Sequence, residues 1–154
     1  KKTNEHFRLI VNENNKYELK KIKESDAKIK PCKIINKKVL KKGKVQINLY
    51  DGGNKIVDKD IYKVGDSVLY DLEKKNIVEH LKLEKGSYIY LISGKHIGTI
   101  GIIDKIIPSK GTFQSKIVFK KNNHSFETLK ESAFVIGKDK PLISLPHEKL
   151  HENE

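Results

Sequence analysis

At 154 residues the chain has room for one domain or two small ones, and 36% hydrophobic against 34% charged residues means any core is thin. No apolar run approaches the roughly 20 residues of a membrane-spanning helix, nothing resembles a secretory signal, and a single cysteine, Cys32, excludes an internal disulfide and zinc-ribbon spacing. One cysteine also points to a reducing compartment, and the Lys-Lys start without any methionine points to a fragment of a longer chain.

Taken in order, Phe7-Arg8-Leu9-Ile10-Val11 reads as a strand, Asn12–Asn15 turns it, and Tyr17–Ile22 returns. Ser25-Asp26-Ala27-Lys28 suits one helical turn capped by Ser25, with Pro31 ending it. Cys32 to Leu40 is an apolar run split by lysines, with Cys32 expected as a small apolar strand residue. Val45-Gln46-Ile47-Asn48-Leu49 alternates strictly, so one face is buried and the other wet. Asp51-Gly52-Gly53-Asn54 is a hairpin loop, and Lys55-Ile56-Val57 begins the return. Tyr62–Tyr70 is a turn leading into a strand, answered by Ile77–Leu83. Glu84-Lys85-Gly86 marks a boundary, where the charge balance changes.

Tyr88-Ile89-Tyr90-Leu91-Ile92 is β-branched and aromatic, Ser93-Gly94-Lys95 is a tight turn, and Ile97–Ile103 is a second apolar run carrying Gly98 and Gly101. Two glycines in a strand indicate a bend, a bulge or close approach of another backbone. The stretch fits an ordinary bulged hairpin or a small closed barrel presenting loops to a partner. Pro108–Gly111 is a loop, Phe113–Phe119 alternates, Lys120–His124 is a basic turn, and Phe126–Leu129 and Ala133–Ile136 close the series. About five short strands between Gly86 and Gly137 suffice for one small barrel. The fold class is therefore all-β, as two consecutive small β domains: residues 1–84, residues 85–137 as the barrel, and an extension over 138–154.

The net charge of +12 is unevenly spread. Residues 1–50 carry fifteen Lys or Arg against five acids, residues 51–84 six against eight, and residues 85–140 ten against four. Two basic blocks flanking an acidic one suit a polyanion, since each neutralised phosphate releases counterions; a lysine-rich proteome gives the same composition without a partner. Thirty-one of the 32 cations are lysine and only Arg8 is arginine. Lysine is a point charge rather than a planar fork, so recognition of backbone and shape is expected rather than of base sequence.

Enzyme chemistry finds no support. His6, His80, His96, His124, His147 and His151 are scattered, and the His147/His151 spacing lacks the glutamate of a zinc-helix motif. No P-loop and no nucleophile elbow occur, and Asp58, Asp60, Asp66 and Asp71 lack calcium-loop spacing. Val64-Gly65-Asp66 reads as a turn rather than a catalytic aspartate. No cofactor, metal or small-molecule substrate is expected.

Several segments resemble one family, the archaeal and eukaryotic small-subunit ribosomal protein four of the e-type. Phe7-Arg8-Leu9-Ile10, Ala27-Lys28 with Cys32-Lys33, Val64–Val68 and Asp71-Leu72-Glu73 look like its central β-domain, and Gly94–Ile103 looks like its KOW element. Ser125-Phe126-Glu127-Thr128, Phe134–Lys138 and Lys140–Pro146 are similar to its closing signature. The resemblance implies a second module that is an SH3-like barrel, and a preceding helical RNA-binding domain that this chain does not include. It implies a structural role in the cytoplasmic ribosome, with small-subunit ribosomal RNA and neighbouring ribosomal proteins as partners and support of subunit assembly. A protein-binding KOW module of a transcription-elongation factor is the alternative.

On that footing the RNA-binding candidates are a cluster crowding one loop, Lys37, Lys38, Lys41, Lys42 and Lys44, and the basic loops of the barrel. The latter comprise Lys95 and His96, then Lys105 and Lys110, Lys120 and Lys121, and Lys138 and Lys140. Gly94, Gly98 and Gly101 are expected to shape backbone, and Tyr88 and Tyr90 to pack in the barrel.

Overall fold

A computed structural model describes residues 3–109 and 114–143 of the chain. The expected starts and ends at Lys110–Phe113, the Ser144–Pro146 part of the closing signature, and the His147/His151 pair lie outside the described residues. The described residues are all-β, forming one two-stranded and two five-stranded antiparallel sheets. The first pair is β1 (His6–Val11) with β2 (Tyr17–Ile22). A helical turn, α1 (Glu24–Ala27), follows; its cap position is Lys23 with no side-chain bond, so Ser25 sits inside the turn rather than capping it.

The next sheet is built from β3 (Ile29–Val39), β4 (Val45–Leu49), β5 (Asn54–Val57), β6 (Ser67–Asp71) and β7 (Asn76–Leu81), in the order β5-β4-β3-β6-β7. Pro31 does not interrupt it: it lies inside β3 opposite Leu69. The strict alternation of 45–49 buries Val45, Ile47 and Leu49 against Cys32, Ile34, Val68 and Tyr70. Burial raises the Cys32 thiol pKa to about 11, leaving it un-ionised at neutral pH.

The last sheet contains the five strands expected between Gly86 and Gly137: β8 (Tyr88–Leu91), β9 (Ile100–Ile107), β10 (Lys116–Lys121), β11 (His124–Leu129) and β12 (Ala133–Gly137). Its order is β11-β10-β9-β8-β12. Ile89 and Leu91 point into a core shared with Ile103, Ile117, Phe119, Ala133 and Val135, and Leu69 and Leu81 of the preceding sheet plug it. Tyr88 and Tyr90 point the other way, into a cluster with Ile10, Ile100, Ile136 and Ile143. They are core residues, as expected, and β8 is buried on both faces.

That outer cluster is roofed by the β1–β2 hairpin. The Tyr90 hydroxyl donates to the Val11 carbonyl and accepts from the Val11 N–H at 3.0 Å. At the hairpin's turn, a side chain on Gly98 would stand 2.3 Å from the carbonyl carbon of Asn12 and 2.6 Å from the nitrogen of Glu13, and Gly98 has φ +79°. Close approach of another backbone is what this glycine serves; at Gly101 the space is taken by the Phe119 ring, 2.5 Å from where a Cβ would stand. An ion pair from Lys121 to Glu13 completes the clasp. The hairpin's far face, with Phe7, Leu9, Tyr17 and Leu19, is exposed.

A second tie joins the two larger sheets. Lys33 is buried, and its ammonium donates to the Glu131 carbonyl at 2.5 Å. Burial holds its pKa down to about 8, Glu131 raising it and Lys130 lowering it.

Two predictions follow from these ties. A two-stranded hairpin is marginal alone, so Gly98→Ala should destabilise the chain by about 2 kcal/mol or more through the lost left-handed conformation and the clash. Hydrogen exchange should then accelerate first in Val11 and Tyr17–Ile22; a uniform loss of protection would refute the docking. For Lys33, the unfolded chain holds the proton more tightly than the folded one, toward the ordinary value of 10.5. Between about pH 8 and that value this group therefore makes stability rise with pH. Denaturant titrations should show a more positive pH slope in the native chain than in Lys33→Met; identical slopes would refute a charged, buried Lys33.

Candidate nucleic-acid interface

The cluster expected on one loop is divided between a strand and its turn. Lys37 and Lys38 lie within β3, opposite Ile47 and Gln46. Lys37 shares the buried face and reaches out to donate to the Tyr62 carbonyl at 3.2 Å and to pair with Asp60 at 2.6 Å. Lys38 faces solvent. Lys41 and Lys42 form the tip joining β3 to β4, closed by the Leu40 N–H donating to the Lys44 carbonyl at 2.7 Å. Lys44 is 3.9 Å from Asp58. Lys42 has φ +62°, a left-handed conformation that costs a residue with a Cβ roughly 1 kcal/mol or more. A lysine stands where glycine or asparagine would be cheaper.

The barrel's cations follow the same mixed pattern. Lys120 and Lys121 belong to β10 rather than to the turn, which is Asn122-Asn123, both at positive φ. Lys120 pairs with Asp104 at 3.2 Å and Lys121 with Glu13. Lys105 is exposed within β9, opposite Val118. Lys95 is exposed at the Ser93–Thr99 turn, whereas His96 beside it is half-buried with its ring centroid 5.1 Å from that of Phe126 and 5.9 Å from that of Phe119. Lys138 lies 3.6 Å from Glu84, and Lys140 is exposed. Lys110 lies outside the described residues.

Ion pairs at the surface are worth little, about 0–1 kcal/mol, and screening weakens them further. A phosphate can therefore compete for Lys44, Lys120 or Lys138, but those lysines start with a partner. Among the described residues no carboxylate lies within ion-pair distance of Lys38, Lys41, Lys42, Lys95, Lys105 or Lys140. Three of these six fall within five residues at the β3–β4 tip, which is the densest unpaired positive charge among the candidates.

Two functional-looking groups that sequence reasoning read as solvated or scattered are brought together. Asp66 is buried and accepts from the Lys63 and Leu83 N–H groups at 3.0 and 2.9 Å, with His80 Nε2 at 2.7 Å. The arrangement braces the turn before β6 against the end of β7, and the Tyr62 ring covers His80 at 4.7 Å between centroids. Val64-Gly65-Asp66 is a turn, as expected, and its aspartate is a buried brace within it. Among the described residues no three His, Cys, Asp or Glu side chains converge as metal ligands.

Comparison with known proteins follows the same sheets. The model of the ribosomal family S4e matches residues 3–77. Small ribosomal subunit protein eS4 of Methanococcus vannielii is 38% identical over 152 residues, covering 92% of this chain and 61% of that protein. The eS4 of Methanosphaera stadtmanae is 37% identical over 144 residues, covering 94% of this chain and 59% of that protein. The crystal structure of the 30S ribosomal protein S4e from Thermoplasma acidophilum superposes with a TM-score of 0.76 at 27% identity, covering 87% of this chain and 67% of that one. The chain spans about three fifths of the length of these curated relatives. With one family matched by the first sheets, by sequence relatives across nearly the whole chain, and by a solved fold, the chain belongs to the ribosomal S4e family.

Proposed function

We propose that this chain is a structural constituent of the small ribosomal subunit, held on ribosomal RNA by its basic turns and supporting assembly of the cytoplasmic particle. The observation that carries the reading is the β3–β4 tip, where Lys38, Lys41 and Lys42 stand without carboxylate partners on a chain of this family. Lys95, Lys105 and Lys140 extend the contact to the barrel side. Lys37, Lys44, Lys120, Lys121 and Lys138 join it by exchanging a carboxylate for a phosphate, and Lys110 and the half-buried His96 complete the candidates. The functional units we assign are residues 1–84, residues 85–137 and an extension over 138–154, with neighbouring ribosomal proteins as further partners. No catalytic step, cofactor or small-molecule substrate enters this reading, and nothing in the family match favours the elongation-module alternative.

Binding by lysine point charges is binding by counterion release, so it should be steeply salt-dependent. Affinity for a small-subunit ribosomal RNA fragment, measured against salt, should fall linearly on logarithmic axes. The triple change Lys38→Ala, Lys41→Ala, Lys42→Ala should flatten that slope by about 2 to 3. An unchanged slope would remove the tip from the interface.

Lys42→Gly separates folding from binding at one position. Glycine relieves the left-handed strain, so thermal unfolding should move upward, by about 0.5–1 kcal/mol in stability. The same change removes one phosphate contact, lowering RNA affinity and flattening the salt slope by slightly under about 1. Stability and binding moving in the same direction would contradict a functional reason for this lysine.

A further inference from the structure

A cleft of about 650 Å³ runs between the two larger sheets. Lys33, Tyr50 and Val64 line it from one side, and Ile92, Ser93 and Lys130 from the other. The Tyr50 N–H donates to the Lys33 carbonyl at 2.9 Å, and both residues line the cleft. Tyr50 is 65% exposed. Opposite, Lys130 lies across Gly65, its Cε 3.1 Å from where a Cβ on that glycine would stand.

The charge balance of this cleft is unusual. Two ammonium groups line it, and the charge of Lys130 raises the cost of charging Lys33. Lys33 spends one of its three donors on the Glu131 carbonyl, leaving two. Among the described residues neither lysine has a carboxylate within ion-pair distance; the Glu131 side chain attracts Lys33 but is exposed. Val64 and Ile92 add apolar surface to the cleft, and Ser93 adds a hydroxyl, its Oγ donating to Ser132 Oγ at 2.9 Å. A pocket of several hundred cubic ångströms, lined by both apolar and polar side chains, is of small-molecule rather than protein-interface size. An exposed aromatic side chain and two cations match two parts of a nucleotide, the base face and the phosphate.

We infer that this cleft receives one unpaired nucleotide of RNA, its base stacked on Tyr50 and its phosphate directed to Lys33 and Lys130. The inference rests on the RNA-binding reading above and deepens it. The basic tip recognises backbone alone, whereas the cleft takes hold of a nucleotide that has left the helical stack. It demands a bulge or loop rather than continuous duplex, so it sets where on a folded RNA the chain sits.

The test uses the full chain, uniformly labelled with nitrogen-15, titrated with adenosine monophosphate and in parallel with adenosine and with inorganic phosphate. Adenosine monophosphate should shift the amides of Lys33, Ser93 and Lys130 saturably, and more tightly than either half alone. Tyr50→Ala and Lys130→Ala should each weaken it about tenfold with the rest of the spectrum unchanged. Tyr50→Phe, which keeps the ring, should stay within about twofold. No saturable shift at these amides, or equal binding of phosphate alone, overturns the nucleotide site. Binding of the ribosomal RNA fragment is measured on the same samples. If it persists while the cleft stays silent, only this inference fails; if it is absent as well, the RNA-binding reading fails first.

Discussion

Strand β8 is buried on both faces, and the rest of the structure depends on how those faces are covered. Ile89 and Leu91 are enclosed by residues of their own sheet and by Leu69 and Leu81 of its neighbour, while Tyr88 and Tyr90 need a second cover. The β1–β2 hairpin supplies it, with Ile10 in the cluster and Val11 bonded to the Tyr90 hydroxyl across 79 positions of sequence. A one-residue slip of β8 would exchange tyrosines for aliphatics in both cores at once, so register is strongly specified. The chain's first strands are thereby packed onto its last sheet. Such long-range pairing is slow to form, because loop-closure entropy is lost before the contacts repay it.

This clasp changes what the glycine-rich turn after β8 can do. Gly98 is not a gap left for a ligand, because the hairpin's own backbone occupies the space in front of it. His96 leans onto Phe119 and Phe126, so from this turn the side chain left facing solvent with full charge is Lys95. The densest unpaired charge among the candidates stands instead at the β3–β4 tip, in the other large sheet. Charge on the barrel is partly consumed by structure, Lys121 holding the hairpin through Glu13 and Lys120 facing Asp104.

Much of this was legible in the sequence because it is local. Strict alternation placed Val45, Ile47 and Leu49 inward, and Asp51-Gly52-Gly53-Asn54 turned the chain between β4 and β5. Tyr88 and Tyr90 as core, and five strands between Gly86 and Gly137, also followed from period and turn chemistry. What escaped depends on partners far away in the chain. Lys33 looks like any other lysine until Glu131, 98 positions later, draws it inward. Asp66 looks like a turn former until His80 and the Leu83 N–H close on it. The Ser25 cap failed for a smaller reason, the turn beginning two residues earlier than its polar side chain suggested. Lys37 and Lys38 were read as loop because lysines interrupt the apolar run, yet their backbones continue an eleven-residue strand.

The single arginine tightens the argument about what can be recognised. Arg8 is the one planar fork in the chain, and it is turned to structural use. Its Nη2 donates to the carbonyls of Asp26 and Ile29 at 3.0 and 3.3 Å, and burial lowers its pKa. No guanidinium is then left to read a base edge bidentately, the commonest route to sequence discrimination in a groove. The exposed cations are lysines, which measure where phosphates lie but not which base they carry. Any preference among nucleotides must come from flat, apolar surfaces that stack, and from the shape of an RNA able to offer an unstacked base. Among the described residues, the cleft that Tyr50 shares with Lys33 and Lys130, two lysines without a carboxylate within ion-pair distance, offers such a surface.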